Sequence, residues 1–468
     1  MKSIPGKILI LSIVFLFAFI TGIVKYSLEK EESAFKATEI EITNSDRILI
    51  LAPHPDDEIL GCAGIIQKAS KMKLPLQIVF LTYGDNNEWS FILYRKRPIL
   101  IPKSVRQMGQ VRYIEAIEAG KSLGVSESQL KFLGYPDFRT LNIWYSHWNN
   151  KPPVKSMLTK VKKVPYGNAF RPGAPYKGEE IVKDLKEIIL QFKPTKIFLS
   201  HPADHNPDHR ALYLFTNIAL WDIESELKPE LYPYLIHYKK WPKPRGYLPA
   251  LDLIPPKSFL TGEIKWYSNE LSLSEIERKW EAIKKHHSQY MSARKYLTSF
   301  IRKNELFGDF DIIKLNPNTP PAVLRVKTEE EIMEMDDELA KEEEAIFTVI
   351  EESFVSIEDK NLIINTQLSR SLGEKVGHSI FVFGYRSDIS FKKMPKIHIV
   401  FGPKNYKVFN QDILISNKEI NVERKIKEIK IYIPLNLLDN PTRILTGAKT
   451  YTDKLPLDWI AWRVIEIE

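Results

Sequence analysis

Two short polar segments of this 468-residue chain each follow a continuous apolar run. The first is His54-Pro55-Asp56-Asp57-Glu58, after residues 47–52 (RILILA), and the second is HPADHNPDHR at 201–210, after residues 196–200 (KIFLS). His54 and Asp57 stand three apart across a turn and can converge on one metal ion. His209, from the second segment, would complete a His, His, Asp set. Three protein ligands with one open position is the arrangement of catalytic zinc. Such an ion brings the pKa of a bound water to about 7 and polarises a carbonyl oxygen. Asp56, between the two ligands, must point elsewhere yet stays within reach of that water, placed to take its proton and return it to a leaving amine. Each segment alone reads equally well as a turn with an acidic helix start. Two of them, each at a strand end, are hard to dismiss as capping.

The elements that must position these residues alternate. Strands at 47–52, 76–82 (LQIVFLT), 130–133 and 196–200 are separated by helices at 58–71, 106–123, 179–192 and 208–221. That order predicts an α/β fold, a doubly wound and mostly parallel sheet, with ligands at the carboxyl ends of its strands. Residues 142–177 form an aromatic, basic, Pro-rich insertion of the kind that makes lids and binding loops. Its Trp144, Tyr145, Trp148, Tyr166, Phe170 and Tyr176 suit a sugar platform, although local packing is the commoner use of loop aromatics. After 346 the texture is β, seven or so short strands that predict a C-terminal all-β, sandwich-like domain. Strand alternation puts Ile460, Trp462 and Val464 on one face, so Trp462 reads as core.

Composition narrows the class. Hydrophobic residues at 44% and charged ones at 27% exclude a disordered chain and a polytopic membrane protein. The net charge of +8 is dispersed and no nucleic-acid motif accompanies it, so no nucleic-acid partner is expected. Cys62 is the single cysteine, which excludes intrachain disulfides and Cys-rich metal sites. Residues 8–24 (ILILSIVFLFAFITGIV) carry no charge and follow Lys2 and Lys7. As a helix they would span about 26 Å, near the thickness of a bilayer core. No small-residue cleavage site ends the run, so one N-terminal transmembrane helix, an uncleaved signal anchor, is favoured over a secreted form made by signal cleavage. The expected organisation is an anchor at 8–24, a polar stalk at 25–45, a catalytic domain at 46–300, a connection at 301–345 and the β domain at 346–468, all beyond the anchor lying outside the cytoplasm.

The motifs also resemble a known family. APHPDDE at 52–58 with LGCAG at 60–64 is similar to the first motif of the PIG-L (LmbE-like) zinc-dependent de-N-acetylases, and NPDHRA at 206–211 to the second. LTYGD at 81–85, VRYIEAIEAGKSLGV at 111–125, FLGYPD at 132–137 and HHSQ at 286–289 resemble further family segments, so the likeness runs over roughly 46–295. It implies a Rossmann-like fold and hydrolysis of an acetamide on an amino sugar. By position it implies His54, Asp57 and His209 as ligands of Zn²⁺ (Fe²⁺ possible), Asp56 as general base, and substrate contact by Arg112 and Asp137. The alternative for the last two is an Arg–carboxylate pair holding helix to sheet. One position departs from the family: many members have a His where Asn206 stands, helping to stabilise the tetrahedral oxyanion. An Asn amide can donate to an oxyanion but cannot act as an acid. The acid then falls to Asp56, or to His205 or His201 swinging in. Asp208 is expected to orient His209 rather than touch metal.

The combined expectation is a membrane-anchored deacetylase for an N-acetylated amino sugar of an envelope glycan, glycolipid or glycoside. The rivals are a glycan-binding or scaffolding protein with a relict metal site and a non-haem iron oxygenase. The oxygenase also uses two His and a carboxylate, but usually on antiparallel β frameworks.

Overall fold

The computed structural model describes residues 35–87, 92–93, 101–260, 264–327, 347–453 and 455–468. The anchor expected at 8–24 lies outside the described residues. Among those described, no helix is long and apolar enough to cross a membrane.

In chain order the first part holds β1 (Thr38–Glu39), β2 (Ile48–Ala52), α1 (Asp57–Met72), β3 (Leu76–Phe80), α2 (Pro102–Ser122), β4 (Leu130–Phe132), α3 (Thr140–Ser146), α4 (Gly178–Phe192), β5 (Lys196–Ser200), α5 (Pro207–Trp221) and β6 (Glu230–Tyr234). Five of these strands form one sheet in the order β4-β3-β2-β5-β6, every pair parallel. β2 is central and its five residues are wholly buried, which is why ILILA is apolar at every position rather than at alternate ones. From β2 the chain winds outward through β3 and β4, then returns to the other side for β5 and β6. The direction of winding reverses between β2 and β5, and a parallel sheet opens its crevice at the carboxyl ends of such a pair. Residues 54–58 and 201–209 leave those two ends.

A second layer closes the unit beyond the predicted boundary at 300. β7 (Ile264–Glu270) pairs antiparallel with β8 (Asn304–Phe310) and parallel with β1, so the end of the expected stalk is docked. Between them run α6 (Leu273–Lys285), which starts on a Ser272–Glu275 capping box, and α7 (His287–Leu297). Lys279 of α6 donates to Glu305 of β8 (2.9 Å) and to the Leu60 carbonyl of α1 (2.8 Å), tying this layer to the helix that begins at the site.

The C-terminal part consists of a five-stranded and a seven-stranded sheet enclosing a core of mostly Ile, Leu and Val side chains. Two strands from the expected connection belong to it. Ile313–Leu315 pairs parallel with Leu455–Ile467, and Ala322–Val326 pairs antiparallel with Ile350–Glu358. Residues 301–327 are therefore built into the two units rather than linking them, and residues 328–346 lie outside the described residues. The outer face of the seven-stranded sheet packs on the α/β unit through Phe381, Phe383 and Trp462, which meet Trp144 and Tyr145 of α3. Trp144 and Trp148 are 0% and 1% exposed, so these two insertion aromatics are packing residues and no sugar platform. Trp462 is buried as expected, but strict alternation fails: a shift in the pairing between Thr446 and Ala448 leaves Ile460 in the core between the two sheets and puts Trp462 with Val464 in the seam with the α/β unit.

Candidate metal centre

β2 ends at Ala52 and the chain turns through Pro53–Asp56 into α1. Asp56 sits at the N-cap with φ 125°, a conformation that L side chains rarely adopt. Arg112 of α2 holds it there. One guanidinium nitrogen, Nη2, donates to the Pro55 carbonyl (2.5 Å) and to Asp56 Oδ1 (3.2 Å), while Nη1 donates to the Gly84 carbonyl (2.8 Å). Gly84 has φ 63°, and a Cβ there would lie 2.0 Å from Arg112 Nη1, so only glycine leaves room for this clamp.

The turn brings three ligand-type atoms together. Asp57 Oδ2 lies 3.1 Å from His54 Nδ1 and 3.0 Å from His209 Nε2, and it accepts the His54 backbone N–H at 3.0 Å. All three residues are buried, and their ligand atoms fall within 4.8 Å of one another. Although His209 Nε2 is that close to a carboxylate, it lacks the alignment of a hydrogen bond. Two imidazoles and a carboxylate aimed at one point, with both ring nitrogens of His209 buried and lacking an aligned hydrogen bond, fit a divalent cation.

Carboxylates hold the far side of both rings. His54 Nε2 lies 3.1 Å from Asp137 Oδ1 and 3.2 Å from Asp208 Oδ2. Asp208 also accepts the backbone N–H groups of Phe138 (2.5 Å) and Thr140 (3.1 Å) and the Thr140 hydroxyl. Asp137 accepts the Asn86 N–H at 2.8 Å. His54, Asp137 and Asp208 also bring their polar atoms within 4.8 Å of one another, but both carboxylates are engaged by backbone donors, the pattern of supports that fix a liganding imidazole. His209 Nδ1 lies 3.1 Å from Asp204 Oδ2, whose carboxylate accepts the N–H groups of Asn206, Ile236 and His237.

Burial would lower the His54 pKa, but Asp137, then Asp208 and Asp57, outweigh it and hold it well above the usual range. Burial likewise opposes protonation of His209, and Asp204 and Asp57 bring it up to about 9. Asp57 stays well below the usual carboxylate range because His209 and His54 outweigh its burial. Asp56 is different: burial raises it, the Arg112 charge only partly offsets that, and it settles at about 6. A carboxyl group with that value exchanges a proton readily near neutral pH.

Several expectations need correction. Asp208 faces His54, because the N-terminus of α5 turns it toward β2; Asp204 is the residue that orients His209. Arg112 and Asp137 direct their polar atoms inward, Arg112 to the 55–56 turn and Asp137 to His54, rather than outward to a substrate. The Arg–carboxylate pair is real, but its partner is Asp56. His205 points away from the centre and packs between Tyr238 (4.7 Å) and Trp459 (4.3 Å), with burial first among the causes that lower its pKa to about 4. His201 is fully buried beside Trp266, and its Nδ1 accepts the Ala203 N–H. Asn206 is the N-cap of α5, its side-chain oxygen accepting the Asp208 N–H at 2.9 Å, which leaves the NH₂ as the group able to donate elsewhere.

Sequence reasoning missed Asp204 and His237. The His237 ring stands edge-on to His209 at 4.8 Å, with its Nδ1 3.2 Å from the Tyr296 hydroxyl, which donates to the Ile236 carbonyl. His237 follows β6 as His54 follows β2, so the strand-end rule applied once more would have found it.

Residues 49–220, from β2 through α5, match the family model described as PIG-L, GlcNAc-PI de-N-acetylase, and these residues are a PIG-L domain. No curated protein matches the chain. Among solved structures, N,N'-diacetylchitobiose deacetylase from Pyrococcus horikoshii is similar at 21% identity over 54% of this chain and 75% of that one, with a TM-score of 0.33. The A40926 pseudoaglycone deacetylase is similar at 15% identity over 56% of this chain and 96% of that one, TM-score 0.36. A 4-carboxy-2-hydroxymuconate hydratase from Pseudomonas putida is similar at 15% identity over 55% and 82%, TM-score 0.33.

Proposed function

We propose that this PIG-L domain is a metal-dependent hydrolase that removes the acetyl group from an N-acetylated amino sugar. The observation that carries the reading is the convergence of His54, Asp57 and His209 at one buried point with Asp56 beside it. His54, Asp57 and His209 hold the ion, Zn²⁺ by preference for this donor set, with Fe²⁺ as the alternative. Bound there, the ion supplies a Lewis acid for the acetamide carbonyl and acidifies a water. Asp56 takes the proton of the attacking water and delivers it to the leaving amine; no other acid is needed, since His205 and His201 face elsewhere. The Asn206 NH₂ donates to the developing oxyanion. Arg112 is a positioning residue that fixes the Asp56 turn. The substrate belongs to an envelope glycan, glycolipid or glycoside, and residues 8–24 anchor the chain with this domain outside the cytoplasm.

Acetate release from N-acetylglucosamine oligomers, N-acetylated glycolipids and small glycosides, with and without chelator, tests the reading. Release that chelation abolishes and Zn²⁺ or Fe²⁺ restores is expected. Release that survives chelation overturns the metal role, and no release across the panel by the metal-loaded chain overturns the hydrolase.

A further inference from the structure

A cavity of about 620 Å³ shares a wall with the metal centre. The chain alternates across that wall. Asp204 and the next strand's His237 face His209, whereas Ala203, His205 and Tyr238 line the cavity. Its opposite side comes from the C-terminal sheets, chiefly Trp459 on Leu455–Ile467 and Arg325 on Ala322–Val326. The cavity therefore exists only because the two parts of the chain are packed together.

Its lining is strongly cationic. Lys239, Lys240, Lys243, Lys257, Arg325 and Lys327 contribute six positive groups. Among the described lining residues the carboxylate is Asp458, which pairs with Lys327 at 2.8 Å and accepts the Ile350 N–H. Between the cations stand broad aromatic surfaces, Tyr238 and Trp459 on either side of His205. Aromatic faces take sugar rings, while ammonium and guanidinium groups take carboxylate or phosphate. The volume lies within the roughly 300–1,000 Å³ of small-ligand sites.

We propose that this cavity is a subsite for an anionic saccharide, so that the amino sugar processed next door belongs to an acidic glycan. The inference deepens the hydrolase reading and rests on it for the substrate's identity, but not for binding.

The test is calorimetric titration of the full chain carrying Asp56→Asn with three probes. These are a hyaluronan hexasaccharide, in which N-acetylglucosamine alternates with a uronate, a chitin hexasaccharide, and a glycerol-phosphate oligomer bearing N-acetylglucosamine. At low salt one anionic probe should bind at least about tenfold tighter than chitin, and which one does so separates carboxylate from phosphate recognition. The gap should close in high salt. Lys243 and Lys257 are exposed, so Lys243→Glu with Lys257→Glu should remove the preference, and the Gln pair should reduce it with an unchanged melting temperature. Equal binding of neutral and anionic probes overturns the subsite, as does a preference that survives the double reversal. If neutral oligomers bind as well as anionic ones and the native chain still deacetylates them, the hydrolase stands and the subsite falls. Anionic preference with no acetate released from any probe has the opposite meaning.

Discussion

At the scale of single residues, Asp204 and Asp208 divide the two imidazoles between them. Each fixes the ring nitrogen that faces away from Asp57. Removing such a support typically costs 10- to 100-fold in metal affinity. Asp204→Ala is therefore expected to weaken divalent-ion binding by about that factor, measured by competition with a chelating dye. His209→Ala and Asp57→Ala should lose the ion outright, while Asp56→Asn should keep it and lose turnover. Asn206 permits a sharper separation, because its oxygen caps α5 and only its NH₂ is available for chemistry. Asn206→Asp keeps the cap and removes the donor, so it should leave the melting temperature near that of the native chain and lower kcat by roughly 10²–10³. Asn206→Ala should add a stability loss of about 1 kcal/mol. Full activity in Asn206→Asp would remove Asn206 from the mechanism. The convergence of His54, Asp57 and His209 was legible in the sequence because all three sit at fixed spacings beyond apolar strands. Their supports were not: Asp204 and Asp208 are four apart around a helix start, and only the fold decides which ring each one meets.

At the scale of elements, α2 acts on the site by crossing over its turn. Arg112 reaches the Pro55 carbonyl, the Asp56 carboxylate and the Gly84 carbonyl together, and the strained backbone at Asp56 persists under that clamp. Gly84→Ala is expected to push the guanidinium out, since the new Cβ would fall 2.0 Å from Nη1 in a backbone conformation already unfavourable for alanine. Metal content should be retained, because His54, Asp57 and His209 are held from other directions, while turnover falls. Arg112→Lys should move activity the same way, since one ammonium cannot span three acceptors. Loss of metal in Gly84→Ala would instead make the clamp part of the ligand scaffold. The parallel strands could be read from the sequence because burial on both faces demands unbroken apolar runs. β1 and the strand Ile313–Leu315 could not, since two or three residues carry no periodicity and their pairing is set by partners more than 225 and 150 positions away, respectively.

At the scale of the whole molecule, the division expected at 301–345 gives way to a shared seam. The aromatic insertion and the outer face of the seven-stranded sheet form one continuous core with the α/β unit. Trp462→Ala should therefore destabilise both parts together, by about 3–5 kcal/mol, in a single unfolding transition followed by circular dichroism. Two separate transitions would contradict the shared core. Lys396 lies buried in the same seam, its ammonium nitrogen 4.1 Å from the Phe391 ring and 4.8 Å from that of Trp148. It donates to the carbonyls of Phe391 (2.6 Å) and Met394 (2.9 Å), two acceptors that match the two N–H bonds of a neutral amine. Burial lowers its pKa to about 7, against a pull upward from Glu179. The unfolded value is about 10.4. Between the two, the unfolded chain binds more protons than the folded one, so this group's contribution to stability rises with pH; below 7 both states are charged and the penalty is complete. Lys396→Met removes the titration and leaves two carbonyls without their donor. The stability difference between native chain and variant, from denaturant unfolding, should move in the native chain's favour from pH 7 to 10, by no more than about 1.4 kcal/mol per unit. A difference that stays flat over that range would mean that Lys396 is charged in the fold and that the aromatic seam holds a cation.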